Sequence, residues 1–589
     1  AMRIVADIET NGLLRQDRPL IHCLVTKDLD TGEVIRYDDT GVYPPITQGI
    51  AMLMEADEIW GHNWIGFDQS FIREIYPFYV PRGKTFDTLI LSRLFFTDLL
   101  NRDFRSKPSL MPGNMYGKHS LEAWGHRLSC LKSQFGKTLE NDWSVYTPEM
   151  LEYCVQDVEV SSKVVEMFLP KMEEYKDCID TEHKIAEIMS WQEEKGWPFD
   201  VDAAHKLEGK LRSELDSLSD EMRATFLFVN GGQFTPKRNN STQGYFEGCA
   251  MCKLRQFNPT SRDHIAWAFE TFRGWTAKER TDSGRAKIDD KVLREIGTPE
   301  ALKFARILEL QKHLGQLSEG KNAWLKLEVN GRLHHSCILN TNTGRMAHLR
   351  PNAAQTPSAP EYRSLFHPGP DRVQCAADAS GLELRCLGHY LAPFDTSKFA
   401  KEVVEGDIHT ALAKIYGTSR SQSKSVTYAT IYGSGDHRLG ITAGADKASA
   451  TKKGKEIRSK IMSGLDGFAD LVSAIATRAK SGVLRGLDGR PIRLQGKAYA
   501  SLNYLLQSSG AIICKLWVIR THELLQEAGV DYYPLGFIHD EQQLSVAPEH
   551  AEQAAQILIY AMKDVEQAIK FRCELDAESV TGNNWAECH

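Results

Sequence analysis

Arg420, Lys424, Tyr428 and Tyr432 recur at every fourth residue and Gly433 follows, so two cations and two phenols fall on one slanting stripe of a predicted helix. At about 1.5 Å of rise per residue the stripe runs roughly 18 Å, the length of a triphosphate followed by its sugar and base. Cations meet phosphate oxygens, and an aromatic ring packs against a sugar or beneath a base. The same spacing also describes a solvated helix face with two tyrosines packed beneath it. The flanks favour the first reading: a carboxylate in DASGLELR (378–385) precedes the stripe and HDE (539–541) follows it.

At 589 residues the chain exceeds what one hydrophobic core organises, so two or more domains are expected. A formal charge of -7 argues against a generally cationic protein, yet binding to nucleic acid depends on where charges sit, and carboxylate-rich metal sites lower the total. The 12 cysteines are scattered, a pattern of a reducing cytoplasm rather than a disulfide scaffold. The start AMRIVADIE enters a strand pattern at once, with no signal peptide. No apolar run reaches the roughly 20 residues of a membrane span, so no membrane is expected.

RIVADIE (3–9) alternates as a strand that puts Asp7 and Glu9 on one face, with Ala6 and Ile8 on the other. Strand, loop and helix signals alternate to about residue 175, as in an α/β domain. Thr147-Pro148-Glu149 opens a helix with a capping Thr, Pro at the first position and an early acid, and that helix carries Tyr153 and Asp157 on one side. Long helical patterns over about 180–325 are interrupted at 226–256 by a turn-rich, polar, basic stretch, read as a loop or small subdomain. Beyond 330 strands and helices mix, and KKGKEIRSK (452–460) is a basic helical stretch that serves as a DNA contact or as a solvated face.

Two carboxylates two apart on a strand can share a divalent cation, and Asp157 can complete the cage with Asp68 of HNWIGFD. Such a site can activate a water for phosphodiester hydrolysis, with Tyr153 one helical turn before Asp157 to orient it. D-x-E alone occurs by chance in acidic strands. The ordered set D-x-E, N-x4-D and Y-x3-D is more specific and resembles the DEDDy proofreading exonucleases. Asp378 after VQCAA and Asp540 inside GFIHDEQQLSV form a second set at strand ends or turns. Joining a 3′ hydroxyl to an α-phosphate needs one metal at the hydroxyl and another at the pyrophosphate, and two aspartates can hold both.

DASGLELR, RSQSKSVTYATIYG (420–433) and FIHDEQ (537–542) resemble motifs A, B and C of the family A DNA polymerases. HSLEAWGHRL (119–128), FNPTSRDHI (257–265), TGR (343–345), GDIHT (406–410), GLDGR (486–490), LLQSSGAIICKLW (505–517) and the terminal NWAECH extend the match. Within the family the segments resemble most the replicative enzymes of bacteriophage T7 and its podovirus relatives. The resemblance implies a multidomain α/β and α+β fold. An RNase H-like 3′-5′ exonuclease domain (1–178) would precede a thumb (179–330), a palm (331–400), fingers (401–485) and a second palm segment (486–589). It implies that Asp378 and Asp540 hold the polymerase metals with help from the Ala379 carbonyl, and that Asp7, Glu9 and Asp157 hold those of the exonuclease. Mg²⁺ would serve in pairs at both sites, with Mn²⁺ as a substitute.

By the same resemblance Arg420, Lys424 and His409 bind the triphosphate, Tyr428 lies against the incoming sugar, and Glu383 closes the space a 2′ hydroxyl needs. Tyr432 and Gly433 border the template base. Arg345 and Gln507 probe the minor-groove acceptors common to all base pairs. His539 and Glu541 lie near the primer end, and Glu541 is counted with the catalytic carboxylates. The family places Phe or Tyr at the sugar position, and Tyr428 implies ready use of dideoxynucleotides.

The expected partners are primer-template DNA, dNTPs, a phage helicase-primase and a single-stranded DNA-binding protein, in the cytoplasm of an infected bacterium. The T7 enzyme docks host thioredoxin on a long thumb insertion. Between Phe226 and Phe257 this chain has only a short loop, so that expectation does not carry over. Pro236-Lys237-Arg238, Tyr245 and Phe246 of the loop can still contact duplex DNA. Cys249 and Cys252 are a single C-x2-C, at most half of a zinc site, and with no second pair nearby zinc is not expected there. No 5′ nuclease fits before Asp7. A single-subunit RNA polymerase shares the palm carboxylates and a similar helix, but Glu383 and the exonuclease motifs count against it. A replication factor with degenerate sites, or a nuclease with a dormant polymerase half, is opposed by the full set of metal carboxylates.

Overall fold

The structure is a computed structural model that describes residues 1–131, 142–494 and 498–589. It divides into two compact units, one of Ala1–Trp197, His334–Ser358 and His367–His589, the other of Pro198–Leu333 and Ala359–Phe366. Elements used below are numbered in chain order.

In the first unit β1 (Arg3–Thr10), β2 (Ile21–Asp28), β3 (Val34–Asp38), β4 (Glu58–Gly61) and β5 (Lys84–Asp87) form a sheet in the order β3-β2-β1-β4-β5. β1 is central, antiparallel to β2 and parallel to β4. Its Ala6 and Ile8 are buried as the alternation predicts, and Val5 and Glu9 are buried too, so the strand is covered on both faces. Helix α1 (Pro148–Phe168) packs on β1 and β2, and it starts where its sequence says it must. The Thr147 side chain accepts from the Met150 N–H, and Pro148 lacks the N–H that the first turn would leave unpaired.

Helix α2 (Lys176–Lys195) runs through residue 179, where the sequence reading opened the thumb. Its Ile185 and Met189 are buried in one core with Trp517, Leu544 and Leu558, so the whole helix belongs to the first unit. Among the described residues its Glu182 is the hub of a buried ion cluster. Glu182 Oε1 accepts from Arg490 Nη1 and from Lys515 Nζ, both at 2.6 Å, while Arg490 Nη2 donates to Asp488 Oδ2 at 2.6 Å. Two cations and two carboxylates cancel, which is how such charges tolerate burial.

The second unit holds α3 (Val201–Thr225), β6 (Phe228–Phe234), β7 (Met251–Gln256), α4 (Arg262–Phe272) and α5 (Pro299–Leu314). Phe226, Phe257, Phe269 and Phe304 fill its core. The stretch at 226–256, read as a loop or small subdomain, includes an antiparallel hairpin of β6 and β7, with the basic segment at its turn. Cys249 and Cys252 are exposed on it, and the Cys252 thiol donates to Asn230 Oδ1 at 3.5 Å.

The first unit resumes with β8 (Ser336–Leu339), β9 (Met346–Leu349), β10 (Val373–Ala379), α6 (Leu382–Asp395), α7 (Ile408–Tyr416), α8 (Arg420–Ile431) and α9 (Ala450–Gly464). It ends with β11 (Val483–Arg485), β12 (Pro491–Arg493), α10 (Ala498–Glu527), β13 (Tyr532–Ile538), β14 (Glu541–Val546), α11 (Ala551–Ala568) and β15 (Ala577–Gly582). β13-β14-β10-β15 is an antiparallel sheet backed by α10 and α11. A bulge at Leu535 shifts the register of β13, and the freed Leu535 carbonyl bonds His335 Nε2 at 2.8 Å.

Residues 500–527 of α10 are long and apolar enough to cross a membrane, which corrects the reading that no stretch reaches that mark. The helix is apolar because it runs through the core: Ile512, Ile513 and Trp517 are fully buried. In α9 the predicted basic helix is amphipathic, with Ile457 and Ile461 buried and Lys452 and Lys455 in solvent.

Candidate active sites

β10 and β14 pair so that Asp378 stands opposite Glu541. β13 and β14 are joined by a two-residue turn, His539-Asp540, in which His539 takes a left-handed φ of 57°. The Asp540 carbonyl accepts the Ala379 N–H at 2.9 Å, which fixes the turn against the end of β10 and brings the two aspartates side by side. After Ala379 the chain reverses at Gly381, φ 48°, and enters α6 with Glu383 in its first turn.

This gathering is electrostatically unfavourable. The Asp378 carboxyl is pushed up to about 6 by burial, then by Glu541 and Asp540. Asp540 is raised by burial and by Glu383. Oxygen-only donors with mutually raised carboxylates fit a hard divalent cation, which relieves the repulsion it finds. Glu541, grouped with the catalytic carboxylates from sequence, is turned into the interior. Its Oε1 accepts from Trp585 Nε1 at 2.8 Å and from Gln543, and its Oε2 contacts His589 Nδ1 at 3.1 Å. The terminal NWAECH segment thus supports motif C from below, a link that no residue spacing signals.

The stripe lies on α8. Ser419 and Gln422 form a capping box at its start, and Gly433, φ 75°, follows its end, with Tyr432 as the C-terminal cap rather than a residue inside the helix. A side chain at Gly433 would come within 3.0 Å of Asn503 Nδ2 as well as being strained. Arg420 and Lys424 are exposed, and Arg420 Nε is held by Asp407 Oδ2 at 2.9 Å. Asp407 also caps α7, which carries His409. Sequence reasoning quoted Asp407 within GDIHT without a role. The His409 imidazole is lowered by burial, then by Arg420 and Lys424, so it stays neutral.

Tyr428 and Tyr432 stack with centroids 6.5 Å apart, and His409 lies 6.3 Å from Tyr428. Tyr432 donates to Glu383 Oε1 at 3.2 Å, and Arg345 sits 6.0 Å over its ring. The Tyr428 phenol is raised by burial, with Glu383, Tyr432 and Asp540 adding to it, which ties the stripe to the metal carboxylates. Arg345, Glu383, Tyr432, Gln507, His539 and Asp540 line one cavity of about 490 Å³. Gln507 Nε2 is oriented by Asn503 Oδ1 at 2.9 Å.

The other carboxylate set also converges. A π-helical turn, Trp64–Asp68, carries Asp68 under β1, where its Oδ1 accepts the Ile8 N–H at 3.2 Å. Asp87 fastens that turn by accepting from the N–H groups of Asn63 and Ile65 at 2.9 and 3.0 Å. Asp157 is buried on α1 and Tyr153, one turn earlier, meets Trp143 edge to face. Glu9 is held well above the usual carboxylate range by burial, Asp7 and Asp157, and Asp68 by burial and Asp7. These four carboxylates fit a divalent cation for the same reason as the first set. Sequence reasoning missed Cys154, whose Sγ lies 3.4 Å from the Asp7 carbonyl and 3.7 Å from Asp7 Oδ2. Its position three residues before Asp157 on α1 was the available signal.

The family model for DNA polymerase family A matches residues 240–587. The chain is 32% identical to the DNA-directed DNA polymerase of Escherichia phage T7, over all of both chains, and 24% identical to DNA polymerase I of Aquifex aeolicus, over 91% of this chain and 89% of that one. Its fold matches the POL domain of Pol1 from M. smegmatis, solved with DNA primer-template and dNTP, at a TM-score of 0.73 and 14% identity, over 100% of this chain and 96% of that one. With its motif carboxylates gathered at one sheet edge beside the cationic helix, this chain belongs to DNA polymerase family A.

Proposed function

We propose that the chain is a DNA-directed DNA polymerase that works in the Asp378–Asp540 cleft and carries a 3′-5′ proofreading exonuclease on the β1–α1 carboxylates. The observation that carries the first half is the junction of Asp378 and Asp540 through the Ala379–Asp540 hydrogen bond, next to the Glu383–Tyr432 pair. Asp378, Asp540 and the Ala379 carbonyl would hold Mg²⁺, which supplies activation of the primer hydroxyl and neutralisation of the pyrophosphate.

The chain's own groups do the positioning. Arg420 and Lys424 bind the phosphates by charge, and neutral His409 donates a hydrogen bond to them. Tyr428 packs on the sugar. Glu383, held by the Tyr432 hydroxyl, fills the space of a 2′ hydroxyl and selects deoxynucleotides. Arg345 and Gln507 donate to the minor-groove acceptors that every correct base pair presents. In the exonuclease, Asp7, Glu9, Asp68 and Asp157 would hold the cations, and Tyr153 orients the attacking water. Primer-template DNA and dNTPs are the substrates, and a helicase-primase and a single-stranded DNA-binding protein are the partners at a phage fork in the bacterial cytoplasm.

Extension and trimming of a recessed primer with Mg²⁺ test both halves, comparing dNTPs with NTPs in wild type, Asp378→Asn and Asp7→Ala/Glu9→Ala. Extension with dNTPs by the second variant and not by the first is expected. Failure of Asp7→Ala/Glu9→Ala to extend sinks the polymerase reading, and continued 3′ trimming by it sinks the exonuclease reading.

A further inference from the structure

We propose that Cys154 supplies a sulfur ligand to the Asp7–Glu9 site and makes it a binding site for a thiophilic divalent cation such as Zn²⁺ or Cd²⁺. That the carboxylates take a cation at all rests on the exonuclease reading above. The sulfur is what this chain adds.

Ligand atoms of Asp7, Glu9 and Cys154 all lie within 4.8 Å of one another. A tetrahedral ion with bonds of about 2.0–2.3 Å keeps its ligands about 3.5 Å apart. Cys154 Sγ and Asp7 Oδ2, at 3.7 Å, already stand at that spacing. Cys154 is fully buried on α1, so its thiol faces the carboxylates rather than solvent. A second buried thiol, Cys23, stands opposite Glu9 in the β1–β2 register. Mg²⁺ takes oxygen and leaves the thiol untouched, whereas Zn²⁺ and Cd²⁺ accept mixed sulfur and oxygen donors. On binding, the S–H bond breaks, its proton passes to solvent and a sulfur–metal bond forms, with no change of oxidation state.

The exposed Cys249 and Cys252 would also take up such ions, so the full-length Cys249→Ser/Cys252→Ser protein is the starting material. With one equivalent of Zn²⁺, X-ray absorption at the zinc edge is expected to find one sulfur at about 2.3 Å beside oxygens at about 2.0–2.2 Å. Cd²⁺ titration is expected to give a thiolate-to-metal ultraviolet band that saturates at one equivalent, disappears in the further Cys154→Ser variant, and accompanies a loss of affinity of about tenfold or more. A zinc shell of oxygen and nitrogen alone overturns the inference, as does a band that survives Cys154→Ser. Mg²⁺-dependent trimming by the wild type separates the two claims. Trimming without a sulfur shell removes this inference alone, and a sulfur shell without trimming removes the exonuclease reading alone.

Discussion

The two carboxylate sites gather the same kind of group by opposite means. At the sheet edge, Asp378 is exposed, and a separate helix carries the exposed Arg420 and Lys424 and meets the site through the Tyr432–Glu383 hydrogen bond. At the first site Glu9, Asp68 and Asp157 are buried around one strand and one helix, and every charge that acts on Glu9 raises it. The proposed polymerase function gives the open site a duplex and a triphosphate to admit, and gives its cations the task of binding substrate. The closed site stores more repulsion among its carboxylates, which makes it the more dependent on a bound cation.

The sharpest way to break this comparison is to disable each site alone. Asp378→Asn should lower the extension rate by at least about 10³-fold while trimming persists, and Asp7→Ala/Glu9→Ala should do the reverse, as expected when several kcal/mol of transition-state stabilisation are lost. A single variant that abolishes both activities in gel-based primer assays would falsify the separation. Next in size, Lys424→Ala should raise KM for dNTPs by about 10–100-fold in steady-state extension, with trimming rates unmoved, because only the open site uses the stripe. If trimming slows equally, the stripe is not specific to the triphosphate.

Tyr428→Phe tests one hydroxyl of that stripe: discrimination against dideoxynucleotides in a chain-termination assay should rise by about tenfold, the scale of one hydrogen bond to a charged group. Unchanged discrimination removes Tyr428 from the sugar. The smallest effect is on stability in EDTA. Asp378 binds its proton more tightly folded, near 6, than at its ordinary 3.8, so it opposes folding above that window and ceases to do so as pH falls from 6 through 3.8. Melting temperature without metal should therefore gain about 1–2 °C in wild type relative to Asp378→Asn as pH falls from 6 towards 4. Equal slopes would show that the open site stores no repulsion.

Much of this was legible in the sequence because it is local. Alternation in 3–9, the Thr147-Pro148 start and the fourfold spacing of 420–432 each specify an element whose side chains share a face. What escaped depends on tertiary pairing. Nothing within 378–385 tells that its strand will lie between 541–546 and 577–582, so the burial of Glu541 under Trp585 and His589 had no sequence signal. Helix α10 is long and apolar enough to cross a membrane because it runs through the core, and apolarity alone does not say whether lipid or protein provides the burial. The unit boundary moved from 179 to beyond Trp197 because a helix end is visible in sequence and the core it joins is not.

The buried ion cluster bears on how such a protein can be cut and recombined. Glu182 comes from the segment that precedes Trp197, while Arg490, Asp488 and Lys515 come from the polymerase half. Replacing Glu182 alone leaves two cations and one carboxylate at positions where side-chain exposure is 3% for Arg490 and 1% for Lys515. An orphaned buried charge costs about 3–5 kcal/mol, a large share of a domain's stability. A cut made after Trp197 therefore parts this carboxylate from its cations, whereas a cut made ahead of α2 keeps the cluster whole, so any exchange of the N-terminal segment between relatives has to leave Glu182 with Arg490 and Lys515.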